Sequence, residues 1–89
     1  MPTYINLVKF RKKPTRETIK QNLESMEKEK KQGVQYRGIY WTLGRYDAVV
    51  ILDAPDEKTM MRNAISRGDW MSSETMVALP AEEARKLVE

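Results

Sequence analysis

The sequence contains no cysteine and no histidine. A chain without cysteine forms no disulfides, and a zinc site without either residue type would need carboxylate ligands alone. Catalysis at neutral pH usually recruits one of these residue types, so an enzyme built on this chain would use Tyr, Asp, Glu, Lys or Arg. Asp47 and Asp53 lie six positions apart on one predicted strand, which is roughly 20 Å at about 3.3 Å per residue. We therefore expect neither a metal ion nor a cofactor.

Long apolar runs are missing as well. No stretch approaches the roughly 20 consecutive apolar residues that cross a bilayer. Residues 1–10 lack the basic start, the longer apolar run and the small-residue cleavage site of a secretory signal. We expect a cytoplasmic protein with no membrane partner, and the absence of cysteine fits a reducing compartment.

The chain is small and densely charged. It has 89 residues, and its 16 basic and 13 acidic residues give a net charge of +3. This length supports a single domain, residues 1–89, whose core is marginal alone because no disulfide supports it. Self-association is the remaining common way to gain stability, so we expect a homo-oligomer, either a dimer or a larger assembly.

Apolar periodicity and turn residues divide the chain into strands and helices. The predicted elements are strands at residues 3–10, 34–43, 46–53 and about 70–79, helices that begin after Thr15 and Asp56 and end near Gly33 and Gly68, and a short C-terminal helix opened by Pro80. The predicted inner stripes are Ile19, Leu23 and Met26 on the first helix, and Met61, Ala64 and Ile65 on the second. The order β-α-β-β-α-β predicts an α+β, ferredoxin-like fold: a four-stranded antiparallel sheet with helices on one face.

The dipeptide Gly44-Arg45 is typical of a two-residue type II′ hairpin loop. That loop would set Trp41 opposite Ala48 and Thr42 opposite Asp47, and alternation then sorts the hairpin into two faces. The face predicted to lie under the helices comprises Ile39, Trp41, Leu43, Tyr46, Ala48, Val50 and Leu52. The predicted open face comprises Tyr36, Gly38, Tyr40, Thr42, Asp47, Val49, Ile51 and Asp53.

This predicted open face is too apolar to remain in water. Its interface candidates are Tyr36, Tyr40, Val49 and Ile51, because rigid amphipathic and apolar side chains suit a protein–protein contact. Burying a few hundred Å² there would contribute several kcal/mol at about 25 cal/mol per Å². We expect a homodimer formed sheet to sheet, or edge to edge into a dimeric α/β barrel.

Tyr46 and Asp47 form the most distinctive local pattern, because a phenol and a carboxylate beside a tight turn could each orient a ligand. The structural alternative is that Tyr46 fills the rim of the core while Asp47 bonds Thr42 or caps turn amides. Packing is the corresponding alternative for Trp41. The candidate ligand-binding residues are Trp41, Tyr46, Asp47 and Thr75, with the subunit interface as the other candidate location.

The basic run at residues 9–16 also raises an RNA-binding hypothesis, because RNA-recognition motifs share this strand and helix order. Such a sheet needs stacking aromatics on the open face of its central strands. The third strand instead offers Asp47, Val49, Ile51 and Asp53 there. Two acids repel phosphate, so we do not expect a nucleic-acid partner.

Four short stretches resemble a known family. Leu43-Gly44-Arg45-Tyr46-Asp47, Val49-Val50, Ala54-Pro55-Asp56 and Glu74-Thr75 are similar to the GYD domain family of small bacterial and archaeal proteins. This resemblance implies a ferredoxin-like or dimeric α/β-barrel fold, in a family whose biochemical function is largely unassigned. The hairpin and the Ala-Pro-Asp helix start also resemble the ligand-sensing domains of leucine-responsive-type regulators, which oligomerise and bind amino acids at subunit interfaces.

Two functional hypotheses follow. The first is a homo-oligomeric domain that binds a small metabolite at the sheet or the subunit interface without catalysis. The second is a cofactor-independent enzyme, monooxygenase-like or isomerase-like, that acts on a small aromatic or polar substrate. A ligand that only stabilises the fold would favour the first, whereas turnover that is lost in Tyr46→Phe or Asp47→Asn would favour the second.

Overall fold

The computed structural model describes residues 1–88 and confirms the predicted fold. Its elements are β1 (Thr3–Phe10), α1 (Arg16–Lys31), β2 (Gln35–Trp41), β3 (Ala48–Asp53), α2 (Glu57–Ser66), β4 (Met71–Ala78) and α3 (Ala81–Lys86). The strands form one antiparallel sheet in the order β2-β3-β1-β4. This is the α+β ferredoxin-like arrangement, with α1 and α2 over one face, called here the helix face. In residues 1–88, no helix combines the length and apolar character needed to cross a bilayer.

Both long helices begin at the predicted capping residues. The Thr15 hydroxyl accepts the Thr18 backbone N–H at 3.1 Å, and the Thr18 hydroxyl accepts the Thr15 N–H at 2.8 Å, which is a reciprocal capping box. The Asp56 carboxylate accepts the backbone N–H of Thr59 at 2.9 Å and its hydroxyl at 2.8 Å. These bonds satisfy donors that a helix start leaves open, so they set the direction in which each helix leaves its strand.

The core lies between the helices and the helix face of the sheet. Its buried cluster comprises Tyr4, Val34, Leu52, Ala54 and Met60. On α2 the predicted inner stripe is wrong by about one residue, because Met60 is buried while Met61 and Ile65 are 64% and 71% exposed. The side chains that follow Met60 toward the sheet include the polar Asn63 and Arg67, which is why an apolar pattern pointed to the neighbouring stripe.

The β2–β3 hairpin keeps its predicted register but not its predicted loop. Trp41 pairs with Ala48, as expected. The strands end there, however, and residues 42–47 lie outside them. The Thr42 N–H donates to the Asp47 carbonyl at 2.9 Å, while the Thr42 hydroxyl donates to the Tyr46 carbonyl at 2.7 Å. Strand alternation therefore stops before Leu43, which is fully exposed and not under the helices.

A bulge in β2 changes the face of one predicted residue. Gly38 pairs with Ile51 and Tyr36 with Leu52, so Arg37 is an extra residue in the strand. One extra residue reverses the side-chain alternation, and Tyr36 joins the helix face. The open-face position predicted for Tyr36 is therefore wrong.

The bulge is held by a small polar cluster. Asp53 is buried and accepts hydrogen bonds from the Thr3 hydroxyl and the Arg37 Nε, both at 2.7 Å. Beyond the bulge the Tyr40 ring lies over Gly38, where an added Cβ would come within 3.0 Å of a ring carbon. The glycine thus allows the aromatic ring to cover the backbone next to the bulge.

Candidate ligand-binding site

A cavity of about 210 Å³ separates α1 and α2 from the sheet. Its walls are mainly apolar and come from β1, α1, β2, β3, α2 and β4. The lining residues used below are Asn6, Phe10, Asn22, Trp41, Asn63, Arg67, Trp70 and Ser73. The volume far exceeds the roughly 10–15 Å³ that a single water needs, so the space can hold a small molecule.

Three aromatic side chains form one end of the cavity. Phe10 ends β1, Trp41 ends β2 and Trp70 precedes β4, so the three rings come from strand ends at the same end of the sheet. The Phe10 ring lies 5.3 Å from the Trp41 ring, edge to face, and 5.7 Å from the Trp70 ring, nearly parallel. Trp41 remains 62% exposed. An exposed ring within an aromatic cluster offers a flat surface on which a planar ligand can stack.

An ion pair lies under the helices beside the cavity. The Arg67 guanidinium donates to both Glu29 carboxylate oxygens, at 2.6 and 2.9 Å, and its Nε donates to Asn22 Oδ1 at 2.8 Å. The Tyr36 hydroxyl donates to the same carboxylate. Glu29 is only 4% exposed. A bidentate pair with additional hydrogen bonds is the arrangement that makes a buried charge tolerable.

The contacts of this cluster raise the pKa values of Tyr36 and Arg67. Burial raises the pKa of Tyr36, and its hydrogen bond to Glu29 raises that pKa further. Burial alone would lower the pKa of Arg67, but the hydrogen bonds and charge of Glu29 outweigh burial and raise it. The phenol therefore stays protonated and the guanidinium stays charged. Arg67 is the charged side chain among the cavity-lining residues within residues 1–88, and Glu29 neutralises it.

Several polar groups in the cavity remain available for a ligand. Asn6 accepts a hydrogen bond from the Thr75 hydroxyl at 2.7 Å, which leaves its amide NH₂ group. Within residues 1–88 the side chains of Asn63 and Ser73 make no hydrogen bond, and no buried side-chain nitrogen or oxygen lacks a partner. These groups therefore face accessible space and can donate to or accept from a bound molecule.

The structure does not bring the four predicted site residues together. Trp41 lines the cavity, and Thr75 contacts it through Asn6. The Tyr46 hydroxyl instead donates to Glu74 at 2.9 Å. Glu74 pairs with Leu7, on the side of the sheet opposite the buried Val8. The core-side position predicted for Tyr46 is wrong, because alternation does not extend through the irregular loop.

Asp47 has a structural role in this fold. Its carboxylate accepts the Phe10 backbone N–H at 2.7 Å, and its own N–H donates to the Val8 carbonyl at 2.8 Å. It thus extends the pairing of β1 with β3 by one residue before the start of β3, whereas the sequence predicts Thr42 or the turn amides as its side-chain partners. The side chains of Tyr46 and Asp47 bond different strands, β4 and β1, and do not bond each other. Within residues 1–88, no three acidic side chains converge to hold a metal ion.

Sequence reasoning missed the ion pair, although a signal was present. Glu29 lies three residues beyond Met26 and extends the inner stripe of α1. Arg67 lies seven residues beyond the buried Met60 and extends that of α2. Opposite charges that continue two facing apolar stripes indicate a buried pair.

The face without helices, the open face, carries the other set of predicted residues. Its apolar side chains are Ile5, Leu7, Tyr40, Val49, Ile51 and Met76. Tyr40 is 59% exposed, whereas Val49 and Ile51 at the centre are partly exposed. The Tyr46–Glu74 hydrogen bond crosses the end of β1 on this face. The open face is thus an apolar surface with polar groups toward one end.

Comparison with known proteins gives one match. The family model of the GYD domain matches residues 4–88 of the chain. No curated protein and no solved structure matches it.

Proposed function

The chain belongs to the GYD domain family, and we propose that it is a homo-oligomeric binding domain that takes a small molecule into the cavity between its helices and its sheet. The observation that carries this proposal is the cavity itself: about 210 Å³ of space with mainly apolar walls, aromatic rings at one end and unbonded polar side chains within it. Apolar walls with a few convergent polar groups are the usual composition of a ligand pocket.

The cavity is better suited to binding than to catalysis. Its charged lining residue, Arg67, is bonded to Glu29 and Asn22, so it is not poised to transfer a proton. Tyr46 and Asp47 lie outside it and are bonded elsewhere. What remains are amides, a hydroxyl and aromatic surfaces, which recognise a molecule without reacting with it.

A thermal-shift screen against a metabolite library tests the proposal. We expect a saturable rise in melting temperature without consumption of the compound. Ala64→Phe, which places a ring into the cavity, should abolish the shift, whereas Ala81→Phe on α3 should leave it intact. If no compound in a broad library shifts the melt, a purely structural or protein-interaction role becomes the better explanation.

The oligomer is proposed to form through the open face. Its apolar centre, Val49 and Ile51 on β3 beside Ile5 and Leu7 on β1, is a surface that a second copy could cover. At about 25 cal/mol per Å², burying several hundred Å² would contribute several kcal/mol, which is comparable to the stability of a small domain.

Size-exclusion chromatography with light scattering tests this assembly at micromolar concentration. We expect a dimer or larger species that Ile51→Glu dissociates. Ile65→Glu is the matched control, because Ile65 is exposed on the outer side of α2, away from the sheet. A wild-type chain that elutes only as a monomer would refute the assembly and leave the cavity proposal standing.

A further inference from the structure

We infer that the cavity selects an uncharged planar aromatic molecule over its carboxylate or ammonium counterpart, an inference that rests on the proposed function. Three features of the cavity carry it: the neutralised Arg67, the aromatic end, and the position of the free polar groups along the sheet.

Charge balance excludes an ionic ligand. Arg67 is the charged lining residue within residues 1–88, and both Glu29 oxygens already bond its guanidinium. A bound carboxylate would compete with Glu29 for one cation and leave a buried anion short of a partner. A bound ammonium would find its nearest carboxylate already engaged by Arg67 and by the Tyr36 hydroxyl. Burying a charge without its own partner is strongly unfavourable.

The aromatic end fixes where the ring of the ligand lies. Phe10 holds Trp41 edge to face and Trp70 in a stacked arrangement. Trp41 is the most exposed of these rings, so it offers the surface on which a further ring can stack. Offset or edge-to-face contact between aromatic rings adds about 0.5–1.5 kcal/mol beyond the area buried.

The polar groups fix where the substituent of the ligand lies. Val8 pairs with Ser73, and Asn6 pairs with Thr75. Val8 and Asn6 are two and four residues from Phe10 along β1, which places Ser73 and Asn6 roughly 7 and 13 Å from the aromatic end at about 3.3 Å per residue. An amide, carbonyl or hydroxyl on a two-ring system would meet these neutral donors and acceptors.

A matched pair of probes tests the charge selection. Naphthalene-2-carboxamide and 2-naphthoate share size and shape and differ in charge at neutral pH. Binding is followed by quenching of Trp41 and Trp70, which are the two tryptophans of the chain, and by thermal shift. At pH 7 we expect the carboxamide to bind at least about tenfold more tightly, a difference that corresponds to roughly 1.4 kcal/mol.

Lowering the pH gives a second readout on the unmodified protein. The carboxyl group of the probe titrates near pH 4. Between pH 6 and pH 4.5 we expect its apparent affinity to rise as its neutral acid form accumulates, while the affinity of the carboxamide stays level. This measurement needs no variant, so it remains decisive if a substitution in the ion pair prevents folding.

Glu29→Gln tests whether the ion pair sets the preference. Without the Glu29 charge, the Arg67 guanidinium can bind an external anion, so the preference for the carboxamide should shrink or reverse. Glu27→Gln, an exposed position two residues earlier on α1, is the control and should retain the wild-type preference.

Equal or tighter binding of 2-naphthoate at pH 7 would overturn the charge selection and leave the binding site intact. If a library compound binds the cavity but neither probe does, the two-ring class is wrong while the proposed function survives. If neither a library compound nor a probe binds, both proposals fall.

Discussion

The two faces of the sheet distribute charge and apolar surface in opposite ways. The helix face covers a carboxylate and a guanidinium, Glu29 and Arg67, that bond each other twice. The open face leaves Tyr40 and the aliphatic centre of β1 and β3 without a protein cover. The comparison separates two tasks. The helix face contains a bonded ion pair beside a cavity, whereas the centre of the open face has no cover within residues 1–88.

The largest expected effect lies on the helix face. Glu29→Ala should lower the free energy of unfolding by about 3–5 kcal/mol, because it leaves the Arg67 charge buried without its partner. Urea unfolding measures this loss. Glu27→Ala removes the exposed ion pair with Lys30 on the same helix and should cost no more than about 0.5 kcal/mol. Equal losses in the two variants would contradict the distinction between buried and surface pairs.

An intermediate effect is expected at Asp47, which bonds the end of β1. Asp47→Ala should lower the free energy of unfolding by about 1–3 kcal/mol, because the Phe10 backbone N–H loses its acceptor. Asp69→Ala is the control, since Asp69 is exposed and its side chain makes no hydrogen bond within residues 1–88. Hydrogen exchange should locate the change at the end of β1, and an unaltered Phe10 amide would refute the explanation.

A smaller, pH-dependent effect is expected at Asp53. The Thr3 hydroxyl, followed by the Arg37 guanidinium, holds the pKa of this carboxyl below its ordinary value of 3.8. The folded-state pKa is depressed, so the stabilisation is present above pH 4 and is lost as the pH falls through the lower, folded-state pKa. Asp53→Asn should flatten the acid limb of the stability curve. Arg37→Gln should flatten it in part, and an unchanged limb in both variants would exclude Asp53 as its source.

The smallest effect is expected on the open face. Tyr46→Phe removes an exposed hydrogen bond to Glu74, so the urea midpoint should not move beyond measurement error. Because Tyr46 lies across the sheet from the cavity, binding of naphthalene-2-carboxamide should be unchanged as well. A loss of binding in this variant would show that the two faces are coupled.

The sequence predicted the architecture because several independent signals agreed. Apolar periodicity, the capping residues Thr15 and Asp56, and the glycine of the hairpin all favour the same element order. The register of Trp41 with Ala48 was predictable for the same reason, since a short hairpin fixes which residues face each other. The family resemblance is confirmed by the match over residues 4–88.

The site was less predictable, for physical reasons that differ from residue to residue. Tyr36 changes face because Arg37 is an extra residue, and a bulge leaves no sequence signal as strong as a turn does. Tyr46 lies in an irregular loop, where alternation does not apply. Glu29 and Arg67 belong to residue types that are mostly exposed, so only their positions relative to Met26 and Met60 could indicate burial. Trp41 was correctly predicted to lie on the helix face, because it belongs to the regular part of β2.

The bulge at Arg37 displaces the side-chain alternation of β2 by one residue. On its C-terminal side, Ile39 and Trp41 follow the pairing with β3 set by the hairpin. On its N-terminal side, Tyr36 follows a parity displaced by one position and meets Glu29. Both segments pair with β3, and the extra residue between them lets Tyr36, Ile39 and Trp41 share the helix face. If Arg37 were paired as a regular strand residue, alternation would turn the phenol of Tyr36 away from the ion pair, so the polar interior depends on an insertion in the backbone as much as on the residues that form it.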